Sequence, residues 1–158
     1  MPRSIIETTM RQAPTVTRDQ PVVDALRVLV DTGLPAVPVV DQDGRLRGIF
    51  GEREFIGALF PGYLSEIGYA GFVTHSLDDT IDRRAGCLVD PVGKHLTTEH
   101  VDVSTDAADA AVAEVFLHHR VLLVPITDHG RVVGVVTRAD FFRAVAERTL
   151  ARGDGEQE

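Results

Sequence analysis

The stretch Leu34-Pro35-Ala36-Val37-Pro38-Val39-Val40-Asp41-Gln42-Asp43-Gly44-Arg45-Leu46-Arg47-Gly48-Ile49-Phe50 returns later in the chain. Its second copy reads Val121-Leu122-Leu123-Val124-Pro125-Ile126-Thr127-Asp128-His129-Gly130-Arg131-Val132-Val133-Gly134-Val135-Val136. Pro38 and Pro125 lie 87 positions apart, as do Val16 and Val103, Asp19 and Asp106, and Leu29 and Phe116. After the turn the offset falls to 86, from Gly44 to Gly130 and from Gly48 to Gly134. A one-residue change inside a glycine-containing hairpin loop is what a structural duplication tolerates. The duplication decides the architecture.

Each copy reads as β-α-β-β-α. In the first, Thr15-Val16-Thr17 is a short strand entry, and Val22, Val23, Leu26, Leu29 and Val30 recur at helical spacing until Gly33. Residues 37–40 and 46–50 form a hairpin, and a helix from Glu52 to Leu59 stops before Pro61. The second copy predicts a helix over 107–119, a hairpin of strands 122–127 and 131–136, and a last helix over 138–150. Phe141, Phe142, Val145, Ala146 and Thr149 give that helix an apolar face. A half of about 50 residues makes a marginal core alone. The expectation is therefore an α/β fold in which the two repeats bury their sheet faces as one pseudo-two-fold pair.

Residues 61–91 match neither copy and read as a partly helical insert. Tyr63, Tyr69 and Phe72 make part of it aromatic, and Ser76-Leu77-Asp78-Asp79 is a capping signal for a short helix ending near Gly86. The insert is either a packing element covering one edge or a lid or partner-docking element. The tail over 151–158 is polar and is expected to be disordered.

Of the 158 residues, 44% are hydrophobic and 25% charged, the balance of a soluble globular protein. The net charge of −8 argues against a nucleic-acid partner, which needs a basic footprint. No apolar run reaches the ~18 residues of a membrane span, and no signal-peptide core opens the chain, so no membrane partner and a cytoplasmic location are expected. The lone Cys87 forms no internal disulfide, and His75, His95, His100, His118, His119 and His129 show no metal-ligand spacing. No nucleophile–base pair, Walker loop or dinucleotide fingerprint is visible, so no catalytic residue and no enzyme activity are expected.

The duplicated Pro-Val-Val-Asp-x-x-Gly-x-Leu-x-Gly-Ile pattern at Pro38–Ile49 and the copy ending Gly134-Val135-Val136-Thr137-Arg138-Ala139-Asp140-Phe141 resemble the CBS domain pair, or Bateman module. The resemblance implies CBS domain 1 over 4–60 and CBS domain 2 over 92–150. It implies a regulatory tandem repeat that binds AMP, ADP, ATP or an S-adenosyl compound between its halves and signals to a regulated protein of unknown identity. It also implies a homodimer and no obligatory cofactor. The family's ligand motif, Gly-hydrophobic-x-Thr/Ser-x-x-Asp, falls here on Gly134, Thr137 and Asp140. Carried over by position, the adenine would meet Gln20, Ala25, Leu34, Pro35 and Ala36. Ala25 and Leu34 read equally well as core, and Pro35 offers no N–H.

The chemistry of the motif stands beside the resemblance. A carboxylate at Asp140 accepts hydrogen bonds from both hydroxyls of a ribose. Thr137 and the free N–H groups of the helix start suit a phosphate, with Arg138 as a further partner. Thr-x-x-Asp before an apolar helix is equally a helix cap that needs no ligand. In the first copy the matching residues are Gly51 and Glu54, which lack the hydroxyl and lengthen the acid, so that site reads as degenerate. His118-His119-Arg120 at a helix C-terminus reads as capping or as a phosphate contact. Two functions follow: a nucleotide-sensing module, or a structural dimerisation module whose ligand sites have decayed.

Overall fold

In the computed structural model, which describes residues 4–60 and 76–156, the two copies fold as the repeat predicts. The chain runs α1 (Ile5–Thr9), β1 (Val16–Thr17), α2 (Val22–Thr32), β2 (Ala36–Val40), β3 (Leu46–Gly51), α3 (Glu52–Leu59) and α4 (Leu77–Arg84). Two short 3-10 turns, Ala85–Val89 and Val92–Lys94, lead into β4 (Val103–Ser104), α5 (Asp109–His118), β5 (Leu123–Asp128), β6 (Arg131–Thr137) and α6 (Arg138–Glu156).

Two three-stranded sheets form, ordered β1-β2-β3 and β4-β5-β6. In each, the first strand runs parallel to the second, with Val16 opposite Val39 and Val103 opposite Ile126, the same pair of positions in the repeat. Gly33 ends α2 in the left-handed region at φ 72°, returning its N–H to the Leu29 carbonyl at 2.9 Å. The second hairpin turns through His129 and Gly130, both at positive φ (52° and 82°), the backbone that matches strand twist. α4 begins as the capping signal predicts, with Ser76 Oγ accepting the Asp79 N–H.

Compactness does not follow the repeats along the chain. One unit comprises Pro14–Gln42 and Arg47–Glu99; the other comprises Met1–Ala13, Asp43–Leu46 and His100–Glu158. The core of the first unit is Val16, Val22, Ala25, Leu29, Val37, Val39 and Phe50, completed by Val92 from the connection after the insert. The core of the second is Val103, Val112, Val115, Val124, Ile126 and Val136, completed by Ile6 from the N-terminus. Each core thus takes an apolar residue from the start of the other block, Val92 in one and Ile6 in the other. The packed units are thus interleaved along the sequence.

The reason for α1's placement is local. Asp109, at the start of α5, accepts the N–H groups of Ile5 and Ile6 at 2.9 and 3.3 Å, supplying partners that a helix start lacks. Ser4 Oγ takes the Glu7 N–H at 3.1 Å. The tip of the first hairpin joins the same unit, where Leu46 N–H donates to Gly130 and Val132 N–H donates to Gly44, both at 3.1 Å.

Three details depart from the sequence reading. The last helix continues through the expected tail to Glu156, because no proline interrupts it and its polar residues remain solvated. Its apolar face is narrower than expected: Phe141 packs against Phe116 in a tilted pair with ring centroids 5.5 Å apart, whereas Phe142 is 69% exposed. α5 starts at Asp109 rather than residue 107. The aromatic part of the insert, with Tyr63, Tyr69 and Phe72, lies outside the described residues.

Candidate functional site

The site is built on a strand edge. Backbone around Arg11 pairs with β6, Arg11 N–H donating to the Val135 carbonyl at 2.8 Å and Val135 N–H returning to Arg11 at 2.9 Å. The neighbouring Gly134 permits this approach: a Cβ there would stand 2.5 Å from Met10 Cγ and 2.8 Å from the Arg11 carbonyl oxygen. The other unit repeats the device. Ile49 and Thr97 exchange both backbone bonds at 2.9 Å, and a Cβ on Gly48 would stand 2.7 Å from the Thr97 carbonyl oxygen. Arg11 and Thr97 therefore occupy equivalent places beside the helix that follows each hairpin.

At the second repeat, β6 passes directly into α6. Thr137, which is 7% exposed, accepts the Asp140 N–H on its hydroxyl at 3.1 Å, and Arg138 N–H donates to the Leu122 carbonyl at 2.9 Å. The capping reading of Thr-x-x-Asp is thus realised. It also corrects the expectation of free N–H groups at this helix start, since those of Arg138 and Asp140 are engaged. The Asp140 carboxylate is held by both arms of Arg11, Nε to Oδ2 at 2.5 Å and Nη2 to Oδ1 at 2.9 Å. The Arg11 guanidinium holds the Asp140 carboxyl below its ordinary pKa, against a smaller opposing effect of burial. Arg11 is half exposed, so the pair is an exchangeable surface contact rather than a locked one.

Asp140 and Arg11 share the wall of an open cavity of about 630 Å³ with Thr8, Arg143, Glu147 and Arg148. That volume suits a small organic ligand. Sequence reasoning reached Asp140 and Thr137 but missed Arg11 and Arg143. Arg143 lies one helical turn past Asp140, a spacing visible in the sequence. Arg11 reaches Asp140 only through the pairing of its backbone with β6, at a separation of 129 residues.

In the first repeat the equivalent junction is closed. A Cβ on Gly51 would stand 2.4 Å from the Pro35 carbonyl oxygen and 2.6 Å from Ala36 Cβ, so no hydroxyl-bearing residue fits. Glu54 bends back to accept the Gly51 N–H at 2.9 Å and receives the Thr97 hydroxyl on its other oxygen at 3.0 Å. Both carboxylate oxygens serve the protein's own chain. The junction is closed by packing as well as by hydrogen bonds.

The residues expected at an adenine have structural employment in their own unit. Ala25 is wholly buried in its core cluster and Leu34 is 5% exposed. Gln20 accepts the Thr17 N–H at 2.8 Å, and the Pro35 carbonyl accepts the Glu52 N–H at 3.0 Å. Ala36 opens β2. His118 and His119 close α5, the His119 N–H returning to Val115 at 2.9 Å. Among the described residues, no cluster of three or more metal-ligating side chains occurs, and no helix is long and apolar enough to cross a membrane.

The family profile of the CBS domain matches residues 4–61 and 94–147. The chain belongs to the CBS domain family. An uncharacterized protein of Methanocaldococcus jannaschii is 20% identical over 89% of this chain and 90% of its own length. The 5'-AMP-activated protein kinase subunit gamma of Saccharomyces cerevisiae is 26% identical over 79% of this chain, which spans only 34% of that protein. An A-adding tRNA nucleotidyltransferase of Aquifex aeolicus is matched over only 12% of its length. Among solved structures, a CBS-domain protein of Kribbella flavida has a TM-score of 0.71 at 23% identity, covering 89% of this chain and 97% of that one. The CBS-pair protein CBSX2 from Arabidopsis thaliana gives a TM-score of 0.71 at 18% identity, covering 92% and 96%. A CBSX2 structure in complex with AMP gives 0.67 at 20% identity, covering 93% and 99%. These likenesses confirm the tandem CBS fold.

Two outcomes follow for this CBS pair. Gly51→Thr is expected to destabilise by about 1–3 kcal/mol, from overpacking against Pro35 and Ala36, and to add no ligand response; a urea midpoint equal to wild type contradicts the closed junction. Because the Asp140 pKa is depressed on folding, its contribution is complete above the ordinary carboxylate range and is lost as pH falls through the depressed value. Asp140→Asn is therefore expected to lower stability at pH 7 by about 0.5–1 kcal/mol, the scale of an exposed ion pair. The gap to wild type closes below about pH 4, and a gap constant with pH contradicts the ion pair.

Proposed function

We propose that this CBS pair is a non-catalytic regulatory module that senses an adenosine-containing ligand, AMP, ADP, ATP or S-adenosylmethionine, and transmits its state to a partner protein. The observation that carries the proposal is the Asp140 carboxylate. It is fixed in the first turn of α6 through the Thr137 cap, opens on a ligand-sized cavity, and is held by one half-exposed arginine. Two ribose hydroxyls match the two oxygens that Arg11 occupies, and the exchange trades one set of charge-assisted bonds for another. The relative described as a complex of CBSX2 with AMP, and the kinase subunit gamma among the curated relatives, support an adenosine ligand. Gly134 serves the site by admitting Arg11 to the sheet edge, and Arg138, exposed at the helix start, is a second candidate cation.

A second reading has an observation of its own. Gly51 and Glu54 are closed at the first repeat, and Thr137 and Asp140 have partners within the chain. This pattern also suits a dimerisation module with decayed sites, and the exposed Phe142 and Leu150 on α6 supply apolar surface for one.

Thermal shift with AMP, ADP, ATP and S-adenosylmethionine on wild type and Asp140→Ala separates the two. Sensing predicts stabilisation of wild type by at least one of the four, about 2.7 kcal/mol at a ligand concentration 100 times Kd, and none for the variant. No stabilisation of wild type, or an equal response of the variant, leaves the dimerisation module as the account.

A further inference from the structure

The N-terminal segment that forms one wall of the cavity is fixed differently from its counterpart in the other unit. Ile6 and Val92 lie 86 positions apart, as do Arg11 and Thr97; the first two complete the cores, and the second two join the sheet edges. Around Val92 the chain is held by backbone. Val92 N–H donates to the Gln20 carbonyl at 2.8 Å, and Val22 N–H donates to the Asp90 carbonyl at 2.9 Å. Ile6, in the place of Val92, donates instead to a side chain, Asp109 Oδ1 at 3.3 Å, and Ile5 donates to Asp109 Oδ2 at 2.9 Å. Asp109 stands 87 positions after Val22, its counterpart in the first copy. One carboxylate takes the place of a backbone bridge.

α1 passes that anchorage on to the cavity. Five residues are too few for a helix to persist without outside partners. Burial of Ile6 supplies apolar contact, but such contact is non-directional and leaves orientation to the hydrogen bonds. The Thr9 hydroxyl donates to the Ile5 carbonyl at 2.5 Å and the Met10 N–H to the Ile6 carbonyl at 2.8 Å, so the turn is braced from its Asp109 end to its Arg11 end. There the two backbone bonds of Arg11 with Val135 fix a single point about which the segment can pivot. Thr8 and Met10, between the two anchors, line the cavity together with Asp140.

We propose that Asp109 is a positioning residue of the Asp140 site. Its carboxylate sets the placement of the N-terminal segment, and through it the two-armed contact of Arg11 with Asp140 and the wall formed by Thr8 and Met10. Asp109 touches no ligand and acts through α1. A two-armed contact demands both distance and orientation, so it is the part of the site most sensitive to a shift of α1. The proposal rests on the nucleotide reading only for what the site binds, since the Arg11–Asp140 pair is measured with no ligand present.

Carboxyl titration of Asp140 by NMR in the whole chain reads that contact. Arg11→Gln supplies the midpoint of the unpaired acid, above that of wild type, because the guanidinium is what holds it down. Asp109→Ala is expected to move the Asp140 midpoint most of the way to that reference. It also raises amide exchange at Ile5 and Ile6 about tenfold, the scale of a lost hydrogen bond to a charged group. Asp109→Asn, which keeps one acceptor, gives an intermediate midpoint and decides the matter alone if Asp109→Ala does not fold. Val124→Ala removes contacts from the same core without touching the carboxylate, and leaves Asp140 at its wild-type midpoint. A wild-type midpoint in the Asp109 variants, or an equal rise in Val124→Ala, overturns the positioning role. Failure of every adenosine compound to stabilise wild type overturns the nucleotide reading and leaves these midpoints as they are.

Discussion

The constraint on which the structure depends is the approach of one backbone to another at Gly48 and Gly134. A side chain at either position would collide with the segment that pairs there, and without that pairing each three-stranded sheet would present a bare edge. The same segments carry apolar residues into the cores, Ile6 into one and Val92 into the other. A repeat of this size is marginal alone, and the exchange enlarges each core with chain from outside its own repeat. The glycines thus link the sequence duplication to the packed units.

That pairing also sets the chemistry of the two helix starts. It delivers Arg11 to Asp140 in one unit and Thr97 to Glu54 in the other. A guanidinium on a carboxylate at the surface can be replaced by other donors at modest cost. The Glu54 carboxylate, shared between the Gly51 N–H and the Thr97 hydroxyl, closes its helix start and leaves nothing to exchange. Two junctions at equivalent places in the repeat therefore differ in kind: one opens on a cavity, the other is closed within the scaffold.

Much of this was legible in the sequence, because repeat spacing, helical periodicity and glycine position act locally. The hairpins, the Gly33 stop, the Ser76 cap and the asymmetry between Thr137 and Gly51 all followed from neighbours within a few residues. Arg11 was not legible. Its role depends on a strand pairing across most of the chain, and nothing in Met10-Arg11-Gln12 signals a partner for Asp140. The continuation of α6 past Leu150 was hidden because Gly153, Asp154 and Gly155 lower helix propensity without forbidding the helix. The employment of Gln20 in its own unit appeared only when its hydrogen bond to Thr17 was seen, whereas Ala25 already read as a core candidate.

The account turns on Arg11 exchanging partners, and a crystal structure of the wild-type chain with ADP observes that exchange directly. Ribose hydroxyls on both Asp140 oxygens, with the Arg11 guanidinium displaced from them, is the predicted result. Arg11 still paired with Asp140, and ADP bound elsewhere or not at all, would contradict it.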